Sequence, residues 1–221
     1  MTRVACRRLF LGAWIAIACL VSGDARAVPA DHLTVVEAGS ARLLGSATAI
    51  GGRTVLTNRH VIELARRRGA ELALSRSGRI IGARIAALSD RLDLAVLVSA
   101  EPLGEAPPLA PAPASGATVS ARGPAGRWVE GVVIPYAWRE AWGPAIFARL
   151  PVGFGFSGGP VRDAAGALVG LVTAAVNPSA SEMLVLRAGR GGLPARDMPV
   201  VLVLPIAAVL AEAERLIGRD P

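Results

Sequence analysis

Three short stretches of the sequence carry side chains that could do nucleophilic chemistry. In the first, an apolar pair of predicted strands leads into Thr57-Asn58-Arg59-His60. A histidine held at a strand end can turn its ring toward a cleft and exchange protons near neutral pH. A core histidine with satisfied hydrogen bonds would produce the same pattern, so for His60 taken alone that alternative stays open.

The second stretch places an aspartate at the start of an apolar strand, Asp93-Leu94-Ala95-Val96-Leu97. Because an unpaired carboxylate is costly to bury, Asp93 needs a partner. An imidazole N–H would serve, and that bond would fix the tautomer of the ring and stabilise the imidazolium formed during proton transfer. An aspartate that caps a turn is the alternative, and Asp90 fits it better than Asp93 does.

The third stretch is the glycine-rich run Gly153-Phe154-Gly155-Phe156-Ser157-Gly158-Gly159-Pro160. Glycines on both sides of Ser157 permit a tight turn that exposes the hydroxyl and points backbone N–H groups into one concavity. Such a concavity can stabilise the oxyanion of a tetrahedral intermediate. A plain glycine-rich turn is the alternative for this stretch by itself.

Strands must position these residues, because short apolar runs separated by glycine are typical of sandwiches and barrels. The chain has 221 residues, 52% of them hydrophobic, and its 25 glycines and 16 prolines favour many tight turns over a helical bundle. The predicted strands are Leu43–Ile50, Thr54–Asn58, Glu71–Ser75, Arg79–Leu88, Leu92–Val98, Thr118–Arg122, Trp128–Tyr136, Ala145–Leu150, Gly159–Arg162, Ala167–Val176 and Val200–Leu204.

The strands fall into two sets, separated by a proline-rich stretch at residues 105–116 that is predicted to be a semi-rigid connector. An amphipathic helix is predicted from Pro205 to Ile217, with Gly218 just past its end. We therefore predict an all-β fold of two antiparallel barrels, with the C-terminal helix packed against one of them. The first lobe spans residues 28–104 and the second spans residues 117–221.

Composition excludes several kinds of chemistry. All 24 basic residues are arginine, so mechanisms that depend on lysine are absent. The two cysteines, Cys6 and Cys19, both lie in the N-terminal apolar segment, which leaves the rest of the chain without a disulfide, a thiol nucleophile or a Cys-based zinc site. No metal or cofactor is expected. The only basic cluster is Arg66-Arg67-Arg68, so nucleic acid is not an expected partner.

Residues 1–27 have the pattern of an export signal. Three arginines precede an apolar stretch too short for a comfortable membrane span, and Ala25-Arg26-Ala27 follows as a cleavage pattern. An uncleaved membrane anchor is the alternative, and a twin-arginine route is open. Removal of these residues takes away four arginines and one aspartate, which lowers the net charge from +7 to +4. We expect a periplasmic or secreted protein with no membrane span in its mature form and an unknown oligomeric state.

In the order His60, Asp93, Ser157, the three stretches resemble those of trypsin-like (chymotrypsin-fold) serine proteases, most closely the bacterial HtrA/Deg-type protease domain. The resemblance covers about residues 43–217 and implies a chymotrypsin-like fold of two six-stranded barrels. It implies a polypeptide substrate, His60 as general base and acid, Asp93 as its orienting carboxylate and Ser157 as nucleophile. The N–H groups of Gly155 and Ser157 would form the oxyanion hole. The other histidine, His32, falls in a segment expected to be mobile, whereas His60 is the one set on a predicted strand.

The same resemblance assigns the primary specificity pocket. It implies that Pro151, Val152 and Thr173-Ala174-Ala175 line the pocket, and their character favours cleavage after a small or medium apolar residue. Phe156 stands where relatives activated from a zymogen carry an acid, so no such latch is expected. Residues 177–198 are predicted to form a lid, a substrate-edge loop or a disordered insertion, and no PDZ domain is expected.

Two alternatives to an exported serine endopeptidase stay open from the sequence. One is a catalytically silent trypsin-like domain that binds peptide or protein in its cleft, since the bulky Phe156 could displace the oxyanion turn. The other is a non-proteolytic acyl hydrolase that uses the same triad.

Overall fold

The computed structural model of the protein describes residues 31–135, 143–176 and 198–218. Within these residues the strands form two closed antiparallel barrels of six strands each. The predicted all-β, two-barrel fold of chymotrypsin-like type is therefore confirmed. The predicted export signal at residues 1–27 and residues 177–197 of the predicted loop lie outside the described residues.

The first barrel closes in the order β1-β2-β3-β6-β5-β4. Alternating apolar side chains of these strands point inward and form a buried cluster that includes Leu33, Leu44 and Leu97. The strands of this barrel are β1 His32–Glu37, β2 Leu43–Ala49, β3 Thr54–Thr57, β4 Leu72–Arg76, β5 Arg79–Leu88 and β6 Ala95–Ser99.

The second barrel closes in the order β10-β11-β12-β9-β8-β7. Its interior is filled mainly by valines and by Leu150 and Phe156. The strands of this barrel are β7 Thr118–Arg122, β8 Trp128–Val133, β9 Ile146–Arg149, β10 Pro160–Asp163, β11 Leu168–Val176 and β12 Val200–Pro205.

Two α-helices accompany the barrels in the described part of the chain. Helix α1 (Arg59–Arg67) follows β3 directly, and helix α2 (Ile206–Ile217) follows β12. The prediction that the C-terminal helix packs against one barrel is wrong, because α2 packs against both. Its apolar face joins a buried cluster to which both barrels contribute: Leu56, Leu94, Val96, Leu168, Leu171, Leu204, Ile206, Val209 and Ala213.

Four local predictions need correction. His60 lies in the first turn of α1 and not on a strand, whereas His32 begins β1, so the expectation of a mobile segment around His32 is wrong. The β1 strand was missed because its apolar positions alternate over six residues only, close behind the apparent export signal. Asp93 lies in the turn before β6, which begins at Ala95. Strand β8 ends at Val133, and Tyr136 lies outside the described residues.

Candidate active site

The turn before β6 brings the Asp93 carboxylate against the N-terminus of α1. One carboxylate oxygen, Oδ2, lies 2.6 Å from His60 Nδ1, and the other, Oδ1, accepts the His60 backbone N–H at 3.0 Å. Helix N-termini leave backbone N–H groups without partners. The helix N-cap residue, Asn58, makes no capping bond with its side chain, so Asp93 takes that role from another segment.

This double contact sets the charge of the carboxylate. Partial burial by itself would raise the pKa of Asp93, but the hydrogen bonds from the His60 ring and backbone outweigh it and hold the pKa below its ordinary value. Asp93 is therefore ionised at neutral pH, and it keeps the Nδ1–H of His60 directed toward itself. The second ring nitrogen, Nε2, is left as the basic position.

Asn58 connects this pair to the second barrel. Its amide Nδ2 donates to the Asp93 backbone carbonyl at 2.9 Å and to Thr173 Oγ1 at 3.3 Å, and its side chain is fully buried. Because Thr173 lies on β11, a single buried amide ties the Asp93 turn of one barrel to a strand of the other. The Thr173 backbone carbonyl in turn accepts the Ser157 hydroxyl at 3.3 Å.

The turn that carries Ser157 is bound to strand β2 of the first barrel by three hydrogen bonds. The Ser46 hydroxyl donates to the Gly155 carbonyl at 2.6 Å, and the Ser46 N–H donates to the Ser157 carbonyl at 2.8 Å. The Thr48 hydroxyl donates to the Gly158 carbonyl at 3.0 Å. These bonds fix three carbonyl groups of the turn toward β2, and so orient the peptide planes of the turn.

Glycine is required in this turn by close contacts as well as by conformation. A Cβ on Gly158 would lie 2.2 Å from the Ser46 carbonyl oxygen and 2.4 Å from Thr57 Oγ1, and its φ is +84°. Gly45 of β2 lies between Val61 of α1 and Ser157. A Cβ on Gly45 would lie 2.7 Å from Val61 Cγ2 and 3.1 Å from the Ser157 carbonyl oxygen. The absence of this side chain lets α1 approach the serine turn.

The conformation of the turn leaves two of its backbone N–H groups without a partner among the described residues. Gly155, at φ +89°, is the third residue of a turn closed by Phe156 N–H to the Gly153 carbonyl at 3.3 Å, and this positive φ is what a type II turn needs there. Among the described residues, the N–H groups of Gly155 and Ser157 donate no hydrogen bond. They are therefore available to an incoming oxygen atom.

Phe156 does not displace this turn. Its side chain is 2% exposed and lies in the core of the second barrel, against Gly123, whose Cβ would lie 2.7 Å from the ring. The guanidinium of Arg127 covers the ring at 5.5 Å from its centroid. The side chain therefore anchors the turn to the core of the second barrel.

The Ser157 hydroxyl is half-buried, and it donates to the Thr173 carbonyl rather than to the ring of His60. Thr173 lies at an irregularity of β11, where the register against β12 shifts between Val172 and Ala174. Such bulges re-aim groups beside a site. Unliganded enzymes often hold catalytic hydrogen bonds that are long or misaligned, so this rotamer is compatible with activity.

Three of the residues assigned to the specificity pocket, Thr173, Ala174 and Ala175, lie on β11. Thr173, whose carbonyl accepts the Ser157 hydroxyl, is buried, whereas Ala174 and Ala175, which follow it in β11, are exposed. Phe154, in the same turn as Gly155, is 73% exposed and adds a large apolar surface to the edge of the site.

Sequence reasoning missed Ser46 and Thr48 and assigned no role to Asn58. The signals were present, because Ser46 and Thr48 are polar residues at alternate positions of an apolar strand and so share one face.

Among the described residues, no group of three or more His, Cys, Asp or Glu side chains could hold a metal ion. No helix of that part of the chain is long and apolar enough to cross a membrane.

Comparison with known proteins identifies the family. The family model of the trypsin-like peptidase domain matches residues 45–171, which include all three stretches singled out above. The chain belongs to this family. It is therefore a serine endopeptidase in class, and the resemblance predicted from its motifs is confirmed. No curated protein sequence matches the chain.

Solved structures of low sequence identity share the fold. The serine endoprotease from Yersinia pestis is 23% identical with a TM-score of 0.67, over 88% of this chain and 65% of that one. A mutant, inactive form of Rv3671c from M. tuberculosis H37Rv is 18% identical with a TM-score of 0.63, over 87% of this chain and 89% of that one. At these identities the likeness extends to the two-barrel architecture of this trypsin-like peptidase.

Proposed function

We propose that this trypsin-like peptidase hydrolyses peptide bonds with Ser157 as nucleophile, His60 as general base and acid, and Asp93 as the carboxylate that orients His60. The observation that carries the proposal is the pair of contacts from Asp93 to the His60 ring and backbone. They hold the ring in the tautomer that leaves Nε2 free to accept a proton.

The reaction follows from these positions. His60 Nε2 takes the hydroxyl proton as Ser157 Oγ attacks the scissile carbonyl carbon, and the ionised Asp93 stabilises the imidazolium that forms. The imidazolium gives its proton to the leaving amine, so the C–N bond breaks and an ester to Ser157 remains. A water molecule, deprotonated by His60, then attacks the ester and releases the carboxylic acid while Ser157 regains its proton.

The N–H groups of Gly155 and Ser157 are the proposed oxyanion hole. Both are free in the described part of the chain, and the bonds from Ser46 and Thr48 fix the turn that carries them. Donors that are oriented before the reaction stabilise the developing charge without a cost of reorganisation. We further propose that Ser157 rotates about its Cα–Cβ bond when substrate binds, and exchanges the Thr173 carbonyl for His60 as its acceptor.

The proposed preference is for a small or medium apolar residue before the scissile bond. It rests on Ala174 and Ala175, which are exposed and follow Thr173 in β11, and on the absence of Asp and Glu from this strand. A panel of chromogenic peptides that differ only at this residue tests it, with alanine or valine expected to be cleaved fastest. Fastest cleavage after arginine would overturn the preference.

Covalent labelling tests the mechanism itself. A fluorophosphonate probe should label the wild-type protein, and labelling should be lost in Ser157→Ala and strongly reduced in His60→Ala. Ser40→Ala is the matched control, because Ser40 is exposed in the β1–β2 turn and bonds only to Glu37 and the Arg42 N–H. Equal labelling of all four proteins would refute the assignment. Cleavage of casein compared with simple esters separates a peptidase from an acyl hydrolase.

We also propose that the protein is exported, on the strength of the sequence pattern at residues 1–27. N-terminal sequencing of the protein recovered from the periplasm or medium should begin at Val28. Recovery of the intact N-terminus in the cytoplasm would contradict this proposal.

A further inference from the structure

A second concavity lies next to the serine turn. It encloses about 730 Å³ between strands β1, β2 and β4 and the β7–β8 turn. Leu43 and Pro124 form its wall nearest the site. Both touch the position that a Cβ on Gly155 would occupy, at 2.9 Å and 2.5 Å, so the cavity adjoins the proposed oxyanion turn.

The described residues that line this cavity include two arginines, Arg76 and Arg122, and neither aspartate nor glutamate. Arg76 donates to the Leu103 carbonyl at 2.8 Å, while its Nε is buried without a hydrogen-bond partner among the described residues. Arg122 is 6% exposed and its guanidinium lies 5.4 Å from the centroid of the Trp128 ring. Both side chains are held in place by these contacts.

The carboxylate that interacts with Arg122 does not neutralise the cavity. Asp31 interacts electrostatically with Arg122, but its carboxylate is bound by Arg162 and it is not part of the lining. His32, which does line the cavity, adds no charge at neutral pH, since burial and the charge of Arg122 lower its pKa to about 4. The cavity is therefore positive, and the Ser75 and Ser77 hydroxyls in its lining offer O–H donors.

We propose that this cavity binds a carboxylate of the polypeptide on the leaving-group side of the scissile bond. The inference rests on the proposed function: the residue before the scissile bond is assigned to Ala174 and Ala175 of β11, so the other half of the substrate is directed toward Leu43 and Pro124, which adjoin Gly155 of the oxyanion turn. A guanidinium binds a carboxylate with two parallel hydrogen bonds, and this pairing is strong where water is excluded. The carboxylate belongs either to an acidic side chain or to the C-terminus of a short substrate.

Peptide substrates that differ only after the scissile bond test the proposal. Internally quenched peptides with a fixed acyl half would carry glutamate or glutamine at each of the first three leaving-group positions. We expect glutamate to raise kcat/KM over glutamine about tenfold at one position, the low end for a hydrogen-bonded charge. Peptides with a free or amidated C-terminus distinguish the two sources of the carboxylate. Equal kcat/KM for glutamate and glutamine at every position, and for free and amidated C-termini, would overturn the proposal.

Variants of the β4–β5 hairpin locate the effect. Arg76→Gln should bring the ratio of glutamate to glutamine rates close to one. Arg79→Gln is the matched control, because Arg79 lies in the same hairpin, is 70% exposed and pairs with Glu101 outside the cavity. An unchanged ratio in a folded Arg76→Gln protein would refute the assignment of the site.

Binding to the Ser157→Ala protein separates this inference from the proposed mechanism. Fluorescence anisotropy of a labelled acidic peptide should show tighter binding than its amide counterpart, and Arg76→Gln in the same background should abolish the difference. This result needs no catalysis, so failure of the fluorophosphonate probe to label the wild-type protein, with acidic binding retained, would refute only the mechanism. Labelling and cleavage without any preference for the carboxylate would refute only the inference about the cavity.

Discussion

Replacing Asp93 with asparagine is expected to lower kcat by about 10⁴ while leaving the fold intact. The carboxylate accepts two N–H groups of His60, the backbone one at 3.0 Å and Nδ1 at 2.6 Å. An amide has one acceptor oxygen. If that oxygen keeps the backbone N–H and caps α1, the NH₂ group faces Nδ1, and the proton of the ring moves to Nε2. A protonated Nε2 cannot accept the proton of Ser157.

The opposite orientation of the amide is less favourable, because it places the NH₂ group against the backbone N–H at the helix start. The measurements are kcat on a fluorogenic peptide and the rate of fluorophosphonate labelling, with thermal unfolding as a check of the fold. Asp90→Asn is the matched control in the same turn, since Asp90 is 76% exposed and contacts Arg215 rather than the site. It should keep kcat within about twofold, as an exposed ion pair contributes little. An Asp93→Asn enzyme that retained more than a tenth of wild-type kcat would refute the reasoning.

Three further predictions concern stability. Burial lowers the pKa of His32 to about 4, so the unfolded chain binds a proton that the folded chain lacks below about pH 6.5. The free energy of unfolding should therefore fall by up to about 3 kcal/mol between pH 6.5 and 4. In urea titrations, His32→Gln should remove this dependence on pH, and an equal dependence in the wild-type and variant proteins would contradict the prediction. Gly158→Ala should destabilise the protein by at least about 2 kcal/mol more than Gly166→Ala. Both glycines have φ near +85°, but only at Gly158 would the added Cβ lie 2.2 Å from a backbone atom. Equal losses of unfolding free energy in the two variants would show that the contact is unimportant. Glu212 has its pKa lowered to about 2, mainly by its hydrogen bond from Arg215, so Glu212→Gln should cost about 1–3 kcal/mol at pH 7. That contribution is complete above about pH 4.5 and is lost as the pH falls toward 2, so a difference between the two proteins that stayed constant down to pH 2 would contradict this origin.

Most strands were predictable because glycine and proline interrupt apolar runs at nearly every turn. The errors lie where neighbours in space decide the local structure. Helix α1 follows β3 without a turn, and the N–H of His60 in its first turn is bound by Asp93 from 33 residues away, which no local pattern reveals. Strand β1 was missed because its pairing with both β2 and β4, rather than a strong pattern of its own, stabilises it.

The candidate site likewise combines features that the sequence predicted with features that depend on tertiary contacts. Residue types and their order along the chain pointed to His60, Asp93 and Ser157, and the structure brings the first two into contact. The Ser157 hydroxyl bonds to the Thr173 carbonyl, which lies at a register shift in β11. Ser46 and Thr48 lie on β2 of the first barrel, and their hydroxyls bind the serine turn of the second barrel.

The sequence by itself determined which chemical groups this peptidase has and where its backbone can bend, because side-chain identity and glycine's freedom are local properties. Tertiary structure alone decided which groups meet. The β2 hydroxyls hold the serine turn of the second barrel, the Asp93 carboxylate caps a helix distant in sequence, and two arginines from different barrels line one cavity. These contacts join residues separated by tens of positions, and they exist only because closing and packing two barrels brings those positions together.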